Sequence, residues 1–493
     1  MHNKRALWAV TLTLACSGSV GSKQRTDGQS PGPVRDGGAA AGPVLNPTDG
    51  ARLKVIWAEG PGGQRVFAAW YDSMLKTECS FRRAIDGELR CLPLVFPIGS
   101  PPSDFVDPAC TVPAAVYSNA SCNPTAYMRR VDTANACESR ERIYARGERI
   151  VENRTYWRPD GPAGRCASGA ILAMEAAFRL GPELPATMFV KGKAGTPAPA
   201  SGSMLPIPFE IEDGGLGVDG WQNSALRATC SFWPLGDGKL YCLPEPATLS
   251  TVTFSDMTCA DQAAYFMPAC AAGAPPLVLR PNAGMCPPTY TAFATGPPAD
   301  GVYRVTNGLC GPIAATLGNE YHSVGAAVPL DGFPTLDAVD ESSPNRLHRT
   351  LYGPAAGRRT LGSVWNDTDR KESCSLTSFG AGRYRCAPAN YARLTFVFAD
   401  AQCTQPLLPL SAAACPSVYA LSFDGAECPA RARVHTVGAP FNGPTFTRYS
   451  VRNELEAHIE CRPTSPPLPA DQMVFSVSPV PDEQFAELQR TVP

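Results

Sequence analysis

Along most of the chain, apolar runs are short, and turn residues break them about every 8–12 positions. That spacing is the pattern of strands in an all-β unit. Arg52-Leu53-Lys54-Val55-Ile56-Trp57 predicts a first strand, a Gly-Pro-Gly-Gly turn follows, and Val66 to Tyr71 predicts a second strand. Asp86-Gly87, set between β-capable residues, predicts a hairpin turn. One stretch, Ala167 to Leu180, is helix-like.

The pattern recurs. Trp70 to Pro93 returns as Trp221 to Pro244 and again as Trp365 to Pro388. In each copy Trp stands nine before a Cys, a second Cys follows twelve later, a Gly lies four before it and a Pro two after it. Each copy then continues through four more cysteines. Repeat one carries Cys79, Cys91, Cys110, Cys122, Cys137 and Cys166; repeat two carries Cys230, Cys242, Cys259, Cys270, Cys286 and Cys310. Repeat three carries Cys374, Cys386, Cys403, Cys415, Cys428 and Cys461. Phe105, Phe254 and Phe398 precede the third Cys by five, Asp107, Asp256 and Asp400 precede it by three, and Gly147, Gly296 and Gly438 follow the fifth by ten. A tandem repeat of this length stacks or closes units that each hold one supersecondary core.

The expected organisation is a signal segment over 1–16, a tether over 17–50 and β repeats over 51–190, 204–330 and 346–478. Linkers are expected over 191–203 and 331–345, and a tail over 479–493. Three tandem disulfide-stapled antiparallel β modules are the expected fold. The alternative is one closed β-propeller-like assembly, which requires the first and last strands to pair.

Composition narrows the setting. The chain has 493 residues, 19 cysteines and only 5 histidines, so disulfides outweigh zinc sites and an oxidising compartment follows. The net charge of −2 gives no basic footprint for nucleic acid. Lys4 and Arg5 precede an apolar run from Ala6 to Ala15, which reads as a secretory signal too short to span a bilayer. It ends in Leu14-Ala15-Cys16-Ser17, a lipobox-like junction. Cys16 is the odd cysteine left after six are assigned to each repeat, so it is the expected lipid-bearing residue. The expected address is the outer membrane or cell surface through that anchor, otherwise the periplasm or medium.

Two elements carry a family likeness. One is Asp86-Gly87-Glu88-Leu89-Arg90-Cys91-Leu92-Pro93; the other is Asp400-Ala401-Gln402-Cys403-Thr404-Gln405-Pro406-Leu407. Repeat two departs from both, with Tyr241 in place of the Arg and Ala260-Asp261-Gln262 in place of Thr-x-Pro. The combination resembles a group of predicted tandem-repeat, cysteine-rich surface lipoproteins of GC-rich Gram-negative bacteria. That resemblance implies address and architecture, and no activity.

Candidate chemistry is sparse. Two cysteines twelve apart suit a bridge across a hairpin, so Cys79–Cys91 and its counterparts are expected pairs. Neighbour pairing would add Cys110–Cys122 and Cys137–Cys166, although six cysteines allow fifteen arrangements. Trp70, Trp221 and Trp365 share the register of the cysteines and so read as core residues on a disulfide, against a ligand-stacking role. Asp107, Asp256 and Asp400 read as turn caps; calcium would want more carboxylates nearby. No nucleophile elbow, zinc-protease motif or phosphate loop occurs. The expectation is therefore a non-catalytic binding or display protein with no cofactor and an unidentified extracellular or envelope ligand. A secreted hydrolase with its site in one diverged repeat is the alternative.

Overall fold

The structure is a computed structural model. It describes residues 44–491 except 96, 99–103, 118–125, 133–139, 151–154, 161–164, 171–175, 195–203, 224–227, 238, 245–246, 267–276, 283–288, 307–308, 316–318, 332, 342–344, 354–358, 396, 412–416, 425–429, 453–456, 466–467 and 469–471.

The fold is mainly β. Each repeat begins with two hairpins. In repeat one these are Leu53–Glu59 with Arg65–Asp72, then Thr77–Arg83 with Leu89–Pro93. Repeat two uses Met204–Ile211 with Leu216–Asn223, then Ala228–Pro234 with Leu240–Pro244. Repeat three uses Leu347–Gly353 with Arg359–Asp367, then Glu372–Ser378 with Tyr384–Pro388. The Asp86-Gly87 turn forms as its sequence requires: Gly87 has φ 80°, a left-handed value that costs glycine no Cβ clash.

A fifth strand then joins each repeat to the next. Lys191–Ala194 pairs with Leu89–Pro93 on one side and Met204–Ile211 on the other. Thr335–Asp340 does the same between repeats two and three. Glu487–Thr491 pairs with Tyr384–Pro388 and with Leu53–Glu59, so the last strand meets the first and the ring closes. The segments expected as linkers over 191–203 and 331–345, and as a tail over 479–493, thus each contain a ring strand. Their composition hid this, because such short strands are held by backbone pairing on both edges more than by apolar side chains. The pairing of first and last strands is the one that the closed alternative requires.

Fifteen antiparallel pairings run round the ring. In a regular barrel directions alternate, so an odd number could not close. Here each first hairpin changes neighbours along its length. Near its open end, Trp70 pairs with Cys79; near its turn, Glu59 pairs with Gln489. Between the two lies a register shift at Ile56/Trp57, matched at Pro206/Pro208 and at Arg349/Leu351. A bulge bends and twists a strand locally. Three such bends, one in each repeat, fall where the hairpin changes neighbours.

The bends also interlock the cores. Phe209 and Ile211 of repeat two pack on Trp70 and the Cys79–Cys91 pair of repeat one. Tyr352 of repeat three packs on Trp221, Cys230 and Cys242. Val66 of repeat one packs on Trp365, Cys374 and Cys386, completing the cycle.

Between its fourth and fifth ring strands every repeat inserts a smaller sheet. Four strands recur in the same order: Tyr127–Asp132, Arg140–Arg149, Ala176–Glu183 and Ala114–Tyr117 in repeat one. A further hairpin hooks on beside it, continuous with the inserted sheet in repeat two, with Phe105 bridging Trp157, Phe254 facing Tyr303 and Phe398 facing Phe446. Ala167–Leu180, expected as helix-like, contributes instead to strands Arg165–Ala170 and Ala176–Glu183. The recurring glycine marks a close strand crossing: a β-carbon on Gly147 would come within 2.6 Å of the Arg179 carbonyl oxygen.

Residues 44–50, expected at the end of a tether, form a bound strap. Val44–Leu45 pair in parallel with Arg359 and Thr360 of repeat three. Thr48 bridges Leu216 of repeat two. The Asp49 carboxylate accepts from the Val55 amide of repeat one at 2.8 Å. Seven residues therefore touch all three repeats.

Candidate functional site

Trp70, Trp221 and Trp365 lie 6%, 5% and 1% exposed, each against its repeat's first disulfide and the hairpin of the next repeat. Their faces are consumed by packing and offer nothing to a ligand. The paired cysteines Cys79–Cys91, Cys230–Cys242 and Cys374–Cys386 span their hairpins with Cα–Cα distances of 5.2, 5.2 and 5.1 Å.

The third cysteine pairs with the sixth: Cys110–Cys166, Cys259–Cys310 and Cys403–Cys461. Neighbour pairing with Cys122, Cys270 or Cys415 is thereby corrected. The reason is the hooked hairpin, whose second strand carries the sixth cysteine back to the loop that holds the third. Cys122, Cys137, Cys270, Cys286, Cys415 and Cys428 lie outside the described residues, as does Cys16.

Asp107, Asp256 and Asp400 organise that loop. The Asp107 carboxylate accepts from the Thr111 and Val112 amides and the Thr111 hydroxyl. Asp400 repeats this with Thr404 and Gln405. In repeat two the acceptor role is kept with Thr258, Ala260 and Asp261 despite the altered sequence. The Thr258 hydroxyl, then the Asp261 amide, hold the Asp256 carboxyl down at about 2. Each Asp bends the chain so that the following cysteine takes a left-handed φ of 53°, 55° or 52°. An Asx-type turn uses up these lone pairs locally. Among the described residues, no three His, Cys, Asp or Glu side chains converge as a metal ion would need.

The Asp-Gly-x-x-Arg element has a structural use as well. Arg90 pairs with Asp86 at 2.8 Å and donates to the Phe189 carbonyl at 2.8 Å. In repeat two the Tyr241 hydroxyl donates to Asp237 at 2.8 Å, and burial, then that bond, pushes the phenol up to about 12. In repeat three Ala381 replaces the Asp, and Arg385 keeps only its bond to the Phe485 carbonyl.

The joint between ring and inserted sheet is where the copies diverge. In repeat one Glu141, 6% exposed, sits between Arg82 at 2.8 Å and Arg129 at 2.5 Å. Burial lowers the Arg82 pKa, and Glu141 opposes the shift. The same positions hold Trp233 and Tyr290 in repeat two, packed edge to face at 5.2 Å. They hold Thr377 and Ala432 in repeat three.

Among the described residues two histidines, His322 and His435, are buried. The His322 ring meets the Gly296 carbonyl through Nδ1 at 2.9 Å. His435 Nε2 lies 3.2 Å from the Ser422 hydroxyl. That Ser–His contact was not legible in the sequence, because it depends on the hairpin register that makes residues 422 and 435 diagonal neighbours. Among the described residues, no hydrogen-bond acceptor orients the His435 Nδ1. A general base needs such an orienting partner.

Fold and site together define a disulfide-stapled, all-β protein whose three repeats close on themselves, suited to an oxidising, extracytoplasmic setting. No protein family, curated protein or solved structure matches this chain. No helix among the described residues is long and apolar enough to cross a membrane.

Proposed function

We propose that this chain is a non-catalytic surface lipoprotein, held by lipid at Cys16, that binds an envelope or extracellular component. One observation carries the reading: the residues common to all three copies are spent on folding. Trp, disulfide, turn Asp and crossing Gly are each accounted for by core packing, loop geometry or strand contact. What differs lies at the joints, in the inserted sheets and along the first hairpins that the strap crosses, and a binding protein keeps its specificity in such variable surface. Net charge gives nucleic acid no purchase.

The anchor is tested by detergent-phase partitioning of native protein and Cys16→Ala. The native chain is expected in the detergent phase and the variant in water; equal aqueous partitioning would sink the anchor. Deleting a repeat would break the ring, so binding is tested by substituting surface residues.

The hydrolase reading rests on the Ser422–His435 contact. A panel of ester, amide and glycoside substrates tests it. Turnover abolished by Ser422→Ala with unchanged melting would favour the enzyme.

A further inference from the structure

Arg65, Leu216 and Thr360 are equivalent, each five residues before its repeat's Trp. All three begin the second strand of a first hairpin or lie within one residue of its start. The strap treats them differently. Leu45 pairs with Thr360, and Thr48 bonds Leu216 in both directions, at 2.8 and 3.3 Å. Among the described residues the strap makes no pairing with Arg65, whose carbonyl instead accepts from Arg349 Nη1 at 3.2 Å. A single extended segment can cover two of three symmetric edges, and here the third opens onto a cleft of about 380 Å³.

The lining belongs to this corner alone. Asn46 of the strap, Trp57, Gln64, Arg65 and Arg349 surround the space. Pro208, opposite Val218, takes the place that Trp57 holds opposite Phe67, and the matching stretch of repeat three, Thr350-Leu351-Tyr352, contains no Trp, so no other repeat places an indole there. Both guanidiniums are already matched by carboxylates: Arg65 pairs with Glu59 at 2.9 Å, and Arg349 with Glu341. The cleft is therefore close to neutral while still rich in N–H donors. An aromatic face beside amide and guanidinium groups suits a flat, hydroxylated ring. Its volume lies within the range of roughly 300–1,000 Å³ usual for small-ligand sites.

We propose that this cleft binds a neutral saccharide, with the pyranose ring against Trp57 and its hydroxyls on Asn46, Gln64 and Arg65. The proposal rests on the non-catalytic binding reading and names the ligand class. Because the cleft is open and shallow, affinity is expected to be weak, with a Kd on the order of 1 mM.

Saturation-transfer NMR on the full chain, in a detergent that contains no sugar, tests it. The probes are lactose, maltose, the β-linked disaccharide of N-acetylglucosamine, and heparin disaccharide as a polyanion. At least one neutral disaccharide is expected to bind, with little change on adding salt. Trp57→Ala and Arg65→Ala are each expected to weaken it at least tenfold. Arg65 is exposed, so its variant remains informative if Trp57→Ala fails to fold. Binding by none of the neutral probes overturns the proposal, as does tighter binding of the polyanion or unchanged binding in Arg65→Ala. Capture of envelope fragments by wild type and Arg65→Ala alike would also overturn the cleft, yet leave the binding reading standing. Hydrolysis of a probe by wild type would overturn both.

Discussion

Trp57 faces Thr491 across the antiparallel pair that joins the first ring strand to the last. Leu488 of the same last strand is 2% exposed and lies in the core of repeat three, which Val66 of repeat one completes. Closure and core packing thus share one short strand. Leu488→Ala should cost about 2–5 kcal/mol, as for other buried Leu truncations. Because the repeats interlock, calorimetry is expected to show one transition, shifted as a whole. Independent modules would give several transitions with only one displaced.

Arg52 and Asp72 make the clearest test of how repeat two differs from its neighbours. Arg52 Nε and Nη2 grip the two Asp72 oxygens at 2.8 and 2.7 Å, and Asp72 is fully buried. Arg346 and Asp367 repeat the pair at the same two distances. In repeat two the equivalent positions are Ser203 and Asn223. Removing one partner of a buried pair leaves an uncompensated charge, at about 3–5 kcal/mol. Arg52→Ser alone should therefore be severe. The double variant Arg52→Ser with Asp72→Asn should recover most of the loss. Urea unfolding of the four-member cycle measures the coupling, and additive losses would show that the pair does not act as a unit.

Some of this was readable in the chain and some was not. The Trp–Cys–Cys spacing carries the hairpin and its bridge because both are local: twelve residues fold back through one turn. The fifth ring strand was hidden, since Lys191-Gly192-Lys193-Ala194 has linker composition and is held by partners on both edges. The strap was hidden for the same reason, since its strand pairings lie with residues at least 168 positions away. The cleft follows from the strap, so Trp57 looked like one more strand residue. Asp107, Asp256 and Asp400 were legible as turn formers because the amides that donate to them lie within five residues.

The third-to-sixth disulfides predict a definite peptide map. Digestion without reduction should yield Cys110 linked to Cys166, Cys259 to Cys310 and Cys403 to Cys461. A Cys110–Cys122 peptide as the main product would contradict the hooked hairpins. Cys79→Ala with Cys91→Ala removes both a short loop closure and the surface on which Trp70 packs. Its cost should reach about 2–5 kcal/mol, the usual range for a native bridge in a small domain.

His435 predicts how stability changes with pH. Its ring is 7% exposed, and burial, followed by the charge of Arg433, holds its pKa below the ordinary value. In the unfolded chain the imidazole should titrate near 6.5. The folded protein therefore binds its proton less readily than the unfolded chain does. Its contribution to stability is fully present above about pH 6.5 and is lost as pH falls from there through the lower folded value. Phe293 and Tyr144 occupy the equivalent position in the other repeats, seven after the fifth Cys, so His435→Phe offers a fitting, non-titrating replacement. Wild type and variant should run nearly parallel above pH 7. Below that, wild type should lose stability faster, by at most about 1.4 kcal/mol for each pH unit, the limit for one proton. Other carboxylates titrate in both proteins and cancel in the difference. Chemical denaturation at pH 7.5, 6 and 5 reads it, and a constant difference across that range would refute the assignment of a buried neutral imidazole.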